Sequence, residues 1–155
     1  MTHAARAAYL DALRMLARRE LSEAQVRQRL TRRNHPGDAV DAAIDRLREE
    51  RAIDDERVAE AIARTQTSVK RRGELRVRRQ IEQAGIVPAT ARRVARRAFE
   101  AVDADELLKA SLQRRLRGRQ KAANQLELRR LYRYLVGQGF EPDRVLAALN
   151  RLKTR

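Results

Sequence analysis

The chain has 155 residues, and its 36 basic and 21 acidic side chains give a formal net charge of +15. It has no cysteine, which excludes disulfides and thiolate metal sites and fits a reducing cytoplasm, where we expect the protein to reside. No apolar run approaches the ~20 residues that cross a bilayer, so no membrane partner is expected. The excess of basic charge predicts an anionic partner.

One pattern recurs along the chain at a period of about 50 residues. It is a helix that ends at a turn residue, which is followed by an apolar or half-apolar residue. The three copies read Val26-x-x-x-Leu30-x-x-x-Asn34-His35, Val77-x-x-x-Ile81-x-x-x-Gly85-Ile86 and Leu131-x-x-x-Leu135-x-x-x-Gly139-Phe140. Each copy is too short to bury a core alone, which is typical of helical arrays. The pattern predicts an all-α, elongated array of three tandem three-helix repeats, at residues 1–53, 54–101 and 102–155.

The first helix of the first repeat is predicted from apolar residues at helical spacing. They are Leu10, Leu13, Leu16 and Ala17. Ser22 is expected to cap the second helix, with Gln25 completing a capping box. Asp38 is expected to cap the third helix.

His35 occupies the turn position that Ile86 and Phe140 fill in the other copies. We interpret it as a turn residue half-packed on the core, because no second ligand lies at metal-binding spacing.

The second repeat opens at Asp54-Asp55, where either carboxylate is suited to cap a helix. The run Lys70-Arg71-Arg72-Gly73 interrupts the helical pattern before the helix that carries Val77 and Ile81. Gly85 suits the left-handed position after a helix, and Pro88 suits the first position of the next helix.

The third repeat begins at Asp103, with Glu106 placed for a capping box. Arg117-Gly118-Arg119 interrupts its helical pattern, and a second helix leads to Gly139. A last helix is predicted to follow Pro142.

Catalytic patterns are absent from the sequence. The two histidines and the serines form no nucleophile–base set, and no glycine-rich phosphate loop is present. We therefore expect a binding protein with no enzymatic activity, no metal and no cofactor.

The net positive charge rises along the chain, which places the anion-facing surface in the middle and last thirds. Residues 1–53 carry 11 basic and 8 acidic residues, residues 54–101 carry 12 and 7, and residues 102–155 carry 13 and 6. The candidate binding residues are Lys70, Arg71, Arg72, Arg76, Arg79, Arg92, Arg93, Arg96, Arg114, Arg115, Arg117, Arg119 and Lys121. Solvated helix faces are the alternative interpretation of any one row.

Aromatic residues make up only 3% of the chain, so platforms for base stacking are scarce. Contacts to the DNA phosphate backbone, sensitive to salt and weakly dependent on sequence, are therefore predicted. A sequence-reading helix-turn-helix is disfavoured, because the helix after Pro88 begins with Ala89-Thr90-Ala91 and the helix after Pro142 offers Asp143.

From about Tyr9 to Leu152 the sequence resembles the RecX family, the small regulators of the RecA recombinase. The resemblance rests on Leu47-x-x-x-Arg51-Ala-Ile53-Asp54-Asp55-Glu-Arg57-Val58-Ala59, on Gly73-x-x-x-Val77-x-x-x-Ile81-x-x-x-Gly85-Ile86, and on Leu128-x-x-Leu131-x-x-x-Leu135-x-x-x-Gly139-Phe140. The chain departs from the family at Arg51, where glycine is usual, and at Val58, where an aromatic residue is usual. It departs again at the turn of residues 34–37, which replaces the usual basic-Gly-apolar form.

The resemblance implies tandem three-helix repeats that bind the RecA filament on single-stranded DNA, along its groove, and limit its recombinase, ATPase and co-protease activities. It also implies that the protein has no enzymatic activity, and we expect a monomer. The alternative is a general basic nucleic-acid-binding helical protein that is not directed at RecA.

Overall fold

The computed structural model describes residues 1–153, and within that range the chain folds into nine α-helices and no strand. The helices are α1 (His3–Arg18), α2 (Glu23–Arg32), α3 (Gly37–Glu49), α4 (Asp55–Arg64), α5 (Glu74–Gln83), α6 (Pro88–Phe99), α7 (Ala104–Leu116), α8 (Gln125–Gly137) and α9 (Pro142–Lys153). The prediction of an all-α fold is confirmed. Residues 154 and 155, the end of the predicted third repeat, lie outside the described residues.

Three separate hydrophobic cores follow one another along the chain. The first is built from buried residues between Ala5 and Ile53, the second between Val58 and Ala95, and the third between Leu108 and Leu149. We call the helix triplets α1–α3, α4–α6 and α7–α9 the first, second and third units. The exact repeat boundaries, at residues 53 and 101, stay a prediction.

The molecule is extended for its size. It exposes 10260 Å² of surface, whereas a compact monomer of this length exposes about 8000 Å². Each unit has its own buried core, so the expectation that one copy is too short to bury a core was wrong. Three separate cores leave more surface in water than one shared core would.

The buried face of α1 matches the predicted one only in part. Leu13 and Leu16 are partly buried against the core, whereas Leu10 is 42% exposed and Ala17 is exposed as well. The fully buried residues of this helix are Ala5, Ala8, Tyr9, Ala12 and Met15. The prediction was wrong for Leu10 and Ala17, because it followed the leucines and overlooked the alanine side of the helix.

The helix starts follow most of the predicted caps. The capping box expected at Asp103 is only half formed, because the Asp103 side chain accepts from the Glu106 amide while the Glu106 side chain makes no return hydrogen bond among the described residues. Ser22 and Gln25 form a complete capping box at α2, and the side chains of Asp54 and Asp103 cap α4 and α7. Asp38 was wrongly predicted to cap α3, because that helix already begins at Gly37, after Pro36, and has no side-chain cap.

The turn after the second helix of each unit has a left-handed residue. Asn34, Gly85 and Gly139 have φ angles of 63°, 84° and 99°, and each follows a helix that ends one or two residues earlier. A residue with positive φ at this position ends the helix and directs the chain toward the next one. The internal repeat seen in the sequence is therefore a repeat of backbone conformation.

A π-helical turn at Thr65–Val69 extends α4 and was not predicted. The Thr67 hydroxyl donates to the Ala63 carbonyl at 2.8 Å, and the Lys70 amide donates to the Thr65 carbonyl at 3.1 Å. The extension ends at Val69, and Arg71, two residues later, has a φ of 51°. It places the basic run of residues 70–72 at the junction with α5.

The first joint connects the first and second units. The buried Ser22 hydroxyl donates to the Ala84 carbonyl, and the Glu23 amide donates to the Asp55 carboxylate at 2.9 Å. Arg57 pairs with Glu20 at its edge. The start of α2 thus lies against the turn at the end of α5.

The second joint connects the second and third units at the equivalent place. The Gly73 amide donates to the Gln138 carbonyl at 2.8 Å, and the Leu75 amide donates to the Gly139 carbonyl at 3.2 Å. Gly73 and Gly139 are in such close contact that a Cβ on either would overlap backbone atoms of the other unit. The start of α5 therefore lies against the turn at the end of α8.

Candidate nucleic-acid interface

The densest group of basic side chains lies at the end of α7. Arg114, Arg115, Arg117 and Arg119 line an open cleft of about 450 Å³. Ser111 and Tyr134 also line this cleft, and the guanidinium carbon of Arg115 lies 3.7 Å from the centre of the Tyr134 ring. Arg117, which ends α7, has a left-handed backbone with φ 51°. Four of the five predicted binding residues of the third unit are therefore brought together around one concave surface, and Lys121 is not part of its lining.

Arg119 is the one member of this cleft with an acidic partner. Its side chain donates two hydrogen bonds to Glu127, one of them 3.1 Å long. These hydrogen bonds raise the pKa of Arg119 and lower the pKa of Glu127. Arg114 and Arg117 are exposed and form no ion pair in the described part of the chain, and nor does Lys121.

The second unit also presents basic side chains to solvent. Lys70 and Arg71 lie in the turn before α5, Arg79 lies on α5, and Arg92 and Arg96 lie on α6. All five are exposed and form no ion pair with any described residue. They are available to a ligand in solution.

Arg93 is on the same helix but is bound within its unit. Its guanidinium donates two hydrogen bonds to Glu56, at 2.5 and 2.6 Å. The hydrogen bond to Arg93 lowers the pKa of Glu56 and raises that of Arg93. This pair connects α6 to the start of α4, which favours a structural role for Arg93.

Arg72 and Arg76, both predicted as binding residues, lie in the second joint. Arg72 donates to the Gln138 side chain, and Arg76 donates to the Gly137 carbonyl at 2.9 Å. Both are half-buried, and the Nε of Arg72 is buried without a hydrogen-bond partner. Their positive charge is therefore used mainly between units.

The first unit pairs much of its charge internally. Arg27 pairs with Asp41, Arg33 with Asp11, and Arg48 with Glu23. His35 is half-buried with its Nε2 3.0 Å from the Asp11 carboxylate, as expected for a turn residue packed at the edge of a core. Burial acts to raise the pKa of Asp11, but His35 and Arg33 outweigh it and the pKa is lowered.

Sequence reasoning missed one set of basic residues. Arg129, Arg130 and Arg133 are exposed on α8 and form no ion pair with any described residue. Arg129 and Arg133 are four residues apart, a spacing that places them on one helix face. That spacing, with no acidic residue between them, was the signal available in the sequence.

The arrangement is suited to binding anions through arginine side chains. Guanidinium groups bind phosphate oxygens with paired hydrogen bonds, and unpaired exposed ones are free to do so. Among the described residues, no group of three or more His, Cys, Asp or Glu side chains is placed to hold a metal ion. None of the described helices is long and apolar enough to span a membrane.

Comparison with known proteins relates the chain to one family. Residues 8–47 match the family model for the first three-helix domain of RecX. The regulatory protein RecX of Halorhodospira halophila is 33% identical over 138 residues, covering 88% of this chain and 83% of that protein. The regulatory protein RecX of Syntrophotalea carbinolica is 32% identical, covering 86% and 88%.

Other relatives are longer than this chain. The regulatory protein RecX of Geobacillus kaustophilus is 39% identical over 79 residues, which are 51% of this chain but only 29% of that protein.

Two solved structures are similar to this chain. The crystal structure of RecX from Lactobacillus salivarius superposes with a TM-score of 0.74 at 17% identity, covering all of both chains. A second RecX crystal structure gives a TM-score of 0.75 at 21% identity, covering 96% of this chain and 72% of the other.

The two structures show the same fold, and the relatives from Halorhodospira and Syntrophotalea match over most of their length. The chain belongs to the RecX family of regulatory proteins.

Proposed function

We propose that this protein binds the RecA filament on single-stranded DNA and limits its ATPase and strand-exchange activity. The observation that carries the proposal is family membership joined to an extended, basic array whose second and third units have the larger excess of basic over acidic side chains. A helical polyanion such as DNA presents phosphates at regular intervals, and an elongated basic surface follows them better than a compact one.

The residues we assign to the phosphate backbone are the predicted binding residues that are exposed and form no ion pair with a described residue. In the second unit they are Lys70, Arg71, Arg79, Arg92 and Arg96, and in the third unit Arg114, Arg115, Arg117 and Lys121. Arg72, Arg76, Arg93 and Arg119 support the fold that presents them.

The test is DNA-dependent ATP hydrolysis by RecA, with this protein added below the RecA concentration. We expect inhibition, because one bound molecule obstructs a groove that several RecA subunits share. Excess single-stranded DNA at fixed salt is the control for simple sequestration of DNA. Inhibition that disappears when DNA is in excess would replace this proposal with a general nucleic-acid-binding function.

A matched pair of variants locates the contact. Replacing Arg114, Arg117 and Lys121 together with alanine removes three unpaired charges from the third unit. Replacing Arg6, Arg14 and Arg18 removes three from α1, where they are also exposed and form no ion pair with any residue that the structure describes. We expect the first variant to lose inhibition and to reduce the salt dependence of DNA binding by about 2 in log–log slope. The α1 variant should inhibit RecA and bind DNA as the parent protein does. Equal effects of the two variants would contradict the assignment of the contact to the third unit.

A further inference from the structure

The face formed by α8 and α9 carries an apolar groove that the phosphate-binding role does not use. The groove has a volume of about 370 Å³. Leu128, Tyr132, Leu146 and Leu149 form its apolar lining, and Arg129 and Arg133 also line it. An apolar floor beside unpaired arginines differs from the Arg114 cleft, which is lined mainly by guanidinium groups.

Two large apolar side chains remain exposed at this face. Leu146, in the groove, is 46% exposed, and Leu126, one turn before Arg129 and Arg130 on α8, is 54% exposed. Leucine side chains left in water on one face favour a protein partner, because burying them stabilises the complex.

The same part of the first two units is covered by the next unit. The residue before α2, Ser22, is 0% exposed in the first joint, and the residue before α5, Gly73, is buried in the second joint. Ser22 and Gly73 lie four residues before Val26 and Val77, and the residue four before Leu131 is Glu127, which is half-buried and bonds to Arg119 within the third unit. The next two residues, Leu128 and Arg129, line the groove. The face of α8 and α9 thus continues an interface that the array builds twice within itself.

We propose that the α8–α9 face docks an acidic segment of the RecA protein that carries a large apolar side chain. This inference rests on the proposed function, and it assigns the face to the protein component of the filament. Acidic side chains complement Arg129 and Arg133, while the apolar side chain enters the groove between Leu128 and Leu149. A sugar-phosphate backbone has no apolar group to fill that groove.

A second copy of this chain fits the face poorly. A second copy that continued the array would place the turn of its first unit against this face. That turn has Asn34 at the position that Gly85 and Gly139 occupy in the two joints. A Cβ at Gly139 would overlap Arg76 and Gly73, so the Asn34 side chain obstructs the same docking geometry. Two molecules of net charge +15 also repel one another.

The experiment compares two charge-matched variants of the full chain. Leu126→Asp with Leu146→Asp changes the proposed face. Val69→Asp with Val87→Asp changes two valines that are 75% and 61% exposed elsewhere. The probes are RecA without DNA and a single-stranded oligonucleotide. We expect the leucine variant to lose affinity for RecA about tenfold or more relative to the valine variant. Both should bind the oligonucleotide alike.

A second pair keeps the proposal testable where aspartate disturbs a helix. Arg129→Gln with Arg133→Gln should weaken RecA binding more than Arg14→Gln with Arg18→Gln. Equal RecA affinities within both pairs, in a protein that still inhibits the filament, would overturn this inference alone. If the variants of this face lose oligonucleotide binding and keep RecA binding, the face contacts DNA. If the parent protein self-associates and these variants do not, the face binds a second copy of the chain. A parent protein that neither binds nor inhibits RecA removes the proposed function itself.

Discussion

The two joints occupy equivalent places in the repeat, yet different groups hold them. The first joint depends on side chains, with the Ser22 hydroxyl on the Ala84 carbonyl and the Asp55 carboxylate on the Glu23 amide. The second depends on backbone hydrogen bonds made by Gly73 and Leu75, reinforced by two arginines. The difference shows that the repeat preserves the approach of a helix start to a glycine turn, while the atoms that make the contact change.

The comparison also explains why basic charge in the sequence is a poor guide to binding. Arg71 and Arg72 are neighbours in one basic run, but Arg71 points to solvent and Arg72 bonds to Gln138 across the second joint. An arginine whose partner lies in the next unit looks, in sequence, the same as one that awaits a ligand.

The largest effect is expected where the second joint is tightest. Gly139→Ala should lower the free energy of unfolding by about 3 kcal/mol, because the new Cβ overlaps Arg76 and Gly73 and the residue has a φ of 99°. Urea unfolding followed by circular dichroism measures it. Gly118→Ala is the control, since its φ is 84° but its Cβ meets no atom within 4 Å. That change should cost only about 1 kcal/mol, and equal losses at both glycines would mean that the joint is not tight.

At the first joint, Ser22→Ala should destabilise the protein by about 2 kcal/mol. The change removes the cap of α2 and leaves the buried Ala84 carbonyl without its donor. The same urea experiment applies, with Ser22→Thr as the comparison because threonine keeps the hydroxyl. If alanine is tolerated as well as threonine, the first joint does not depend on this side chain.

Alanine substitutions at the adjacent residues Arg71 and Arg72 should have different effects, one on DNA binding and the other on stability. Arg72→Ala should lower stability by about 1.5 kcal/mol, since it removes a charge-assisted hydrogen bond across the second joint. Arg71→Ala should change stability by less than about 0.5 kcal/mol and weaken binding to single-stranded DNA. The paired measurements are urea unfolding and fluorescence anisotropy, and the opposite result would exchange the two roles.

The smallest effect is expected at the edge of the first joint. Arg57 and Glu20 are both largely exposed, so Arg57→Ala should cost about 0.5 kcal/mol in low salt and less in 0.5 M salt. A loss that stays the same in both salts would show that Arg57 acts through packing or its hydrogen bond to the Arg51 carbonyl.

Local signals in the sequence predicted much of this fold. The left-handed turns at Asn34, Gly85 and Gly139 and the capping box at Ser22 each depend on residues within one helical turn. The face of α1 was assigned correctly at Leu13 and Leu16 and wrongly at Leu10 and Ala17. Apolar residues lie on more than one side of this helix, and only its packing in the unit selects the alanine side. The α4 extension had no local pattern to mark it.

The candidate interface was predictable in part. The excess of basic over acidic residues in the second and third units followed from the charge count. Which arginines are already bound did not, because Gln138 lies 66 residues from Arg72 and Glu56 lies 37 residues from Arg93. The apolar groove between α8 and α9 also depends on packing at long range, and its leucines fit the pattern of an ordinary core.

The glycine contact in the second joint has a consequence for how such a chain tolerates mutation. Hydrogen bonds from the Gly73 and Leu75 amides make no demand on side-chain identity. Random substitutions should therefore accumulate freely at most exposed positions around the joint and be eliminated at Gly73 and Gly139. A library selected only for folded protein should show this as two sharply depleted codons within a permissive background.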